Sequence, residues 1–229
     1  MPNSPKLNIE ALLGHVPLFN SLQPEELARI AAGTREVNVA KGETLFRKGD
    51  PCVGFHLIVY GQIKLAFTSA QGNEKVVEIL NQSQTFGEAL MFMEKPYIVF
   101  AQALADTQLL HIGKEAIFEE IDHHPRLARK MIAGLSMRLH QLIQDVESYS
   151  LKSGRERIIG YLLREIPDTH SPNESVTITL STSKGTIASR LNLTQEHFSR
   201  ILHELSDEGM IRVEGRRIHI SEPAKISRF

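Results

Sequence analysis

Cysteine is nearly missing: Cys52 stands alone in 229 residues. One thiol excludes an intramolecular disulfide, an all-cysteine zinc site and a cysteine-ligated iron–sulfur cluster within one chain. It fits a reducing compartment. No stretch approaches the roughly 18 apolar residues of a membrane span. The start, Met1-Pro2-Asn3-Ser4-Pro5-Lys6, lacks the charged and apolar regions of a secretory signal. The expected location is the cytoplasm, with no membrane partner. A nucleophile elbow, a Walker loop, a GxGxxG run and a paired-carboxylate pattern are all absent, so no enzyme is expected and no catalytic residue is assigned. Ten histidines are present, but none stand at His-x3-His or HExxH spacing, so metal ligands stay unassigned. An excess of one charge is lacking too. The 26 Lys+Arg face 27 Asp+Glu, and residues 150–229 hold 12 against 10, too small an asymmetry to imply DNA.

What is present is ordinary globular composition, 41% hydrophobic and 23% charged, enough for one large domain or two modest ones. Residues 8–33 read as short helices, with Asn8 as a cap and Pro24-Glu25-Glu26 as an acidic first turn. From 35 to 112 short apolar runs alternate with turns. The runs are Thr44–Phe46, Phe55–Tyr60, Ile63–Phe67, Val76–Leu80, 99–104 and 107–112. The turns hold Gly42, Gly49, Gly61 and Gly72. Strands this short and regular predict a small antiparallel roll or barrel. A helix follows at 114–122.

Pro125 opens a long helix. Ala128, Ile132, Leu135, Leu139, Leu142, Val146 and Tyr149 step by alternating fours and threes. That is a heptad seam, and it predicts a parallel homodimer through Ile132, Leu135, Leu139, Leu142 and Val146. The plainer alternative is one helix face lying on its own domain. Ser150–Gly154 suits a hinge. Beyond it Arg155–Arg164 reads as a helix, Pro167–Asn173 as a loop and Val176–Leu180 as a strand.

Thr182–Leu205 carries the most information. Thr186–Leu191 is a short helix. Asn192 tolerates the left-handed conformation that a tight turn needs, and Thr194 is an N-cap. Phe198, Ile201, Leu202 and Leu205 make the buried face of the next helix. This is helix-turn-helix spacing. Gln195, Glu196, Ser199 and Arg200 point outward, each with major-groove chemistry. Gly209 ends the helix. Met210–Val213, Glu214-Gly215-Arg216 and Arg217–Ile220 then form a basic hairpin, the wing. Arg216 and Arg217, with Lys184 and Thr194, are placed for phosphate contacts. An ordinary helical hairpin with a solvated face is the alternative.

In this order of elements, and in Glu196-His197-Phe198-Ser199-Arg200, the sequence resembles the cyclic-AMP receptor protein/FNR (CRP/FNR) superfamily of transcription regulators. The Glu-x-x-Ser-Arg form is that of its FNR and nitric-oxide-responsive members. The resemblance implies an α+β fold: a cyclic-nucleotide-binding-like β-roll over 1–124, a dimerisation helix over 125–150 and a winged helix-turn-helix over 151–229. It implies double-stranded DNA as partner, with TTGAT…ATCAA-like sites. Glu196 and Arg200 would read the G·C pair and Ser199 a neighbouring thymine. RNA polymerase is a further partner if the protein activates.

The resemblance extends to an effector pocket. Phe86-Gly87-Glu88-Ala89-Leu90 resembles the start of a phosphate-binding cassette, which brings Gly87 and Glu88 to the pocket. The Arg-Ser or Arg-Thr that follows in the family is replaced by Tyr97-Ile98-Val99, and Leu142 and Ile143 stand where hydroxyls would meet adenine. An anion buried without a cation costs several kcal/mol, which argues against cyclic AMP. Leu90, Phe92 and Tyr97 leave an apolar pocket against the long helix with Leu142. Phe86–Met93 and Leu135–Gln141, with Leu151-Lys152, resemble haem-binding regulators of dissimilatory nitrate respiration, which implies haem and nitric oxide. The plainer reading of the Met/Phe run is core. A cyclic-nucleotide-binding module that controls a partner protein is the competing function.

Overall fold

The computed structural model describes residues 8–226 except 17, 20, 21, 168, 169, 172 and 173. The chain's first residues and part of the expected 167–173 loop lie outside that set. The chain divides into two compact units, residues 1–140 and 141–229. The division falls within the long helix rather than at either of its ends.

The first unit begins with α1 (Ile9–Gly14) and α2 (Pro24–Ala32). Asn8 caps α1 by accepting from Ala11 N, and Glu26 caps α2 by accepting from Gln23 N at 2.6 Å. Eight strands follow: β1 (Thr34–Val39), β2 (Thr44–Phe46), β3 (Gly54–Tyr60), β4 (Ile63–Thr68), β5 (Glu74–Leu80), β6 (Thr85–Phe86), β7 (Phe100–Ala103) and β8 (Thr107–Gly113). A short helix, α3 (Glu88–Phe92), lies between β6 and β7, and α4 (Lys114–His123) follows β8. The strands form two antiparallel four-stranded sheets, ordered β1-β8-β3-β6 and β2-β7-β4-β5. Gly42, Gly49, Gly61 and Gly87 all have φ between 84° and 101°, a region that Cβ-bearing residues avoid. Phe55, Ile58, Phe86, Leu109 and Met91 are buried in one core.

Inside the roll, register aligns Arg35, His111, His56 and Phe86 across neighbouring strands. His111 Nδ1 lies 3.2 Å from His56 Nε2. A Cβ on Gly54 would stand 2.9 Å from the His111 ring and 2.2 Å from the Ile112 carbonyl, so the site needs glycine. Burial, then the His111 and Arg35 charges, push His56 down to about 3, and burial also lowers His111. The native pair is therefore neutral. The unfolded chain binds protons below about pH 6.5, so stability is present above that pH and is lost as pH falls. From pH 7 to pH 5, His56 alone should cost about 2 kcal/mol. Urea midpoints at both pH values check this, and His56→Leu should shrink the pH-dependent drop by that amount. An equal drop in both proteins would refute the assignment.

The long helix α5 runs from Pro125 to Leu151. In the second unit α6 (Gly154–Arg164) is capped by Ser153, reciprocally with Glu156. Then come β9 (Val176–Thr179), α7 (Lys184–Arg190), α8 (Gln195–Asp207), β10 (Ile211–Glu214), β11 (Arg217–Ile220) and α9 (Pro223–Ile226). The strands form an antiparallel sheet ordered β10-β11-β9. Ile158, Leu162, Ile187, Phe198, Leu205 and Ile218 make its own core. The expected helix-turn-helix and hairpin are present. No helix among the described residues is long and apolar enough to cross a membrane.

Candidate nucleic-acid interface and effector cavity

The turn between α7 and α8 follows from local chemistry. Asn192 adopts φ 58°, and Leu193 N donates to Ala188 O at 2.9 Å. Thr194 Oγ1 then accepts from His197 N at 3.2 Å, satisfying one donor left unpaired by the start of α8. Phe198, Ile201, Leu202 and Leu205 face inward. Ala188, fully buried, belongs to the same core. That burial turns Glu196 and Arg200 to solvent and leaves Ser199 half-buried.

Arg200 is 63% exposed and pairs with Glu204 one turn on, at 2.5 Å. Such a surface pair contributes about 0.3–0.5 kcal/mol and opens readily. Gln195 is exposed, but its Oε1 would be 2.6 Å from a Cβ on Gly185, so its amide lies back over the start of α7. Lys184 is the first residue of α7 and is half-buried.

The wing differs from expectation in one residue. Arg216 Nε and Nη2 both donate to the Leu180 carbonyl, at 3.0 and 2.5 Å. Both Arg216 and Arg217 are exposed, but the Arg216 guanidinium is held on the carbonyl just past the end of β9, while Arg217 lies on β11. Arg212 is 70% exposed on β10 and pairs with Glu214 at 2.8 Å. His219, Arg212 and Arg217 hold the Glu214 carboxyl below its ordinary value.

In the first unit a cavity of about 350 Å³ lies between α5 and the roll. Val16, Leu18, Met131, Leu135 and Met137 give it apolar walls, and Thr85, Glu88, Lys130 and Arg138 also line it. Arg138 reaches from α5 to the roll: Nη1 donates to Thr85 O at 3.0 Å and Nη2 to Glu78 at 2.5 Å. Burial raises the Glu88 carboxyl. Gly87, at φ 101°, starts α3 and so directs Glu88.

The rest of the expected pocket is corrected. Tyr97 is buried and stacks on Phe46, with centroids 3.6 Å apart and planes 5° apart. Phe92 packs on Phe118, Leu90 is partly buried against the core, and Met91 is fully buried. Leu142 is exposed on α5 and is not among the lining residues. The Met/Phe run is mostly core, because α3 turns its apolar side chains into the roll. Apolar character does not distinguish a cavity wall from a packed interior.

Haem iron takes His, Cys, Met or Tyr as axial ligands. Of these the described lining offers only the Met131 and Met137 thioethers. His56 and His111 bind one another, and His124 binds Glu26 and Glu120. Glu26, Glu120 and His124 are also the cluster whose spacing could hold a metal ion. Arg29 already forks onto Glu120 at 2.9 and 3.1 Å, so the group works as an ion network between α2 and α4.

Residues 36–124 match the cyclic nucleotide-binding domain family, and residues 156–229 match the Crp-like helix-turn-helix domain. The solved structure of DNR from Pseudomonas aeruginosa is 35% identical, over 99% of this chain and 100% of that one, with a TM-score of 0.52. The chain belongs to the CRP/FNR family of transcription regulators. Its CRP/FNR relatives include the cyclic AMP receptor protein of Thermus thermophilus, 26% identical over 91% of this chain and 94% of the relative. They also include the transcriptional activator protein anr of P. aeruginosa, 28% identical over 81% and 76%. These matches bear out the α+β architecture, with the roll ahead of the helix-turn-helix.

Proposed function

We propose that this CRP/FNR protein is a cytoplasmic homodimer that binds TTGAT…ATCAA-like sites and senses a small molecule other than cyclic AMP. The observation that carries the DNA reading is the outward face of α8, where Glu196, Ser199 and Arg200 stand one turn apart. Arg200 forks onto guanine O6 and N7, Glu196 accepts from the paired cytosine and Ser199 meets a thymine edge. Lys184, Thr194 and Arg217 add phosphate contacts. RNA polymerase is a partner where the protein activates, and no catalytic role is assigned.

The effector site is the cavity beside α5. Leu135 supports this, since it lines the cavity and also occupies a seam position. A ligand there changes the surroundings of the seam helix and shifts the population between two dimer states. Against cyclic AMP stands Tyr97, packed on Phe46 where the family's arginine would sit, while Arg138 is engaged by Glu78 and Thr85.

A gel shift with a TTGAT…ATCAA duplex tests the DNA reading, and failure to prefer it over a scrambled duplex sinks it. Calorimetry with cyclic AMP should give no micromolar binding, and a micromolar dissociation constant would overturn that exclusion. Protein purified with haem supplied tests the haem and nitric-oxide reading, which the lack of a Soret band would overturn. A band that shifts with nitric oxide would support it.

A further inference from the structure

The last carbonyls of α7 have no partner within their own helix, and they carry the negative end of its dipole. Here the carbonyl of Arg190, which ends α7, and the two that follow it in the turn are taken by side chains from outside the helix-turn-helix. Tyr149 Oη, on α5, donates to the Arg190 carbonyl at 2.6 Å. Arg157 Nη1, on α6, donates to the Leu191 carbonyl at 2.7 Å and the Asn192 carbonyl at 3.2 Å. The Arg190 side chain returns the contact. Its Nη2 meets Asp145 Oδ2, also on α5, at 2.5 Å, and its Nη1 meets the Tyr149 hydroxyl. Asp145 is 7% exposed, and burial raises the Tyr149 phenol.

A buried ion pair contributes little net stability compared with apolar packing, but it is costly to half-remove. Asp145 and Tyr149 also sit beside seam position Val146 on the same helix. We propose that Asp145, Tyr149 and Arg190 form a latch that seats α7 on the C-terminal end of the dimerisation helix. These positioning residues set how the recognition helix α8 is presented, and so which half-site spacing the dimer accepts. The inference rests on the DNA-binding reading above.

The test compares affinity for duplexes whose half-sites stand at the preferred spacing and one base pair closer or farther apart. The readout is a ratio within one variant, so a uniform loss of folded protein cancels. Wild type should discriminate among spacings. Tyr149→Phe deletes one hydroxyl with little change of volume, and Asp145→Asn removes the charge. Each should flatten the preference about fivefold, the worth of one hydrogen bond. An unchanged ratio in both variants, with affinity lost equally at every spacing, would make the latch merely structural and overturn the proposal. So would a wild type that binds all spacings alike. A wild type that binds none of the duplexes overturns the DNA reading and the latch together.

Discussion

Arg200→Ala is expected to erase the preference for the G·C pair of each half-site while leaving salt-sensitive binding in place. A bidentate arginine–guanine contact discriminates by about 1–3 kcal/mol, and a symmetric dimer uses it twice, so the variant should lose roughly thirtyfold or more in selectivity. The free protein holds Arg200 against Glu204 on the exposed face of α8. Exchanging that pair for guanine costs only the small worth of a surface ion pair. Arg217→Ala should behave differently. On the proposed reading it removes a phosphate contact, so binding should weaken for all sequences alike and the salt slope should fall by about one. Arg216→Ala should act chiefly on wing stability, because its guanidinium is bound to Leu180 O. Binding of each variant to the intended duplex and to one with the G·C pair changed, at two salt concentrations, separates these roles. If Arg200→Ala keeps the wild-type ratio, α8 does not read that pair.

The contrast between Arg216 and Arg217 shows where sequence stops being informative. An arginine in a wing reads as a phosphate ligand, but the need of a carbonyl such as Leu180 O is not visible in sequence. Arg157 and Arg190 are spent in the same way, on carbonyls and a carboxylate from other elements. Features fixed by local geometry are legible. Gly42, Gly49, Gly61 and Gly87 mark the roll because each turn needs positive φ, and Asn192 and Thr194 mark the α7–α8 turn for equally local reasons. The cavity is not legible, because it joins Val16 and Leu18 to Thr85 and to Met131 and Arg138, far apart in the chain. The heptad pattern is intermediate. It finds the α5 stripe, but it could not separate Tyr149, whose hydroxyl is bound within the chain, from Val146, which is exposed.

That stripe carries the other large expected effect. Ile132, Leu139, Leu142 and Val146 are exposed on α5, with Leu139 at 61%, while Leu135 is half-buried at the cavity. A row of exposed aliphatic side chains at 3.5-residue spacing is what a second copy of the same helix would cover. Leu139→Lys puts a cation in the middle of that row, and symmetry brings two of them face to face. Burying an unpaired charge costs about 3–5 kcal/mol, a hundredfold or more in the dimer dissociation constant. Leu142→Lys should act alike. Glu147→Lys, one residue off the stripe, should leave the dimer intact, which controls for added charge. Sedimentation equilibrium reads the outcome, with far-ultraviolet circular dichroism to verify that each variant is folded. Monomeric Leu139→Lys should also lose most operator affinity, because a single α8 grips one half-site and loses the gain from linking two. If Leu139→Lys and Leu142→Lys both stay dimeric at low micromolar concentration, the stripe is not the seam, and the chain must pair through another face.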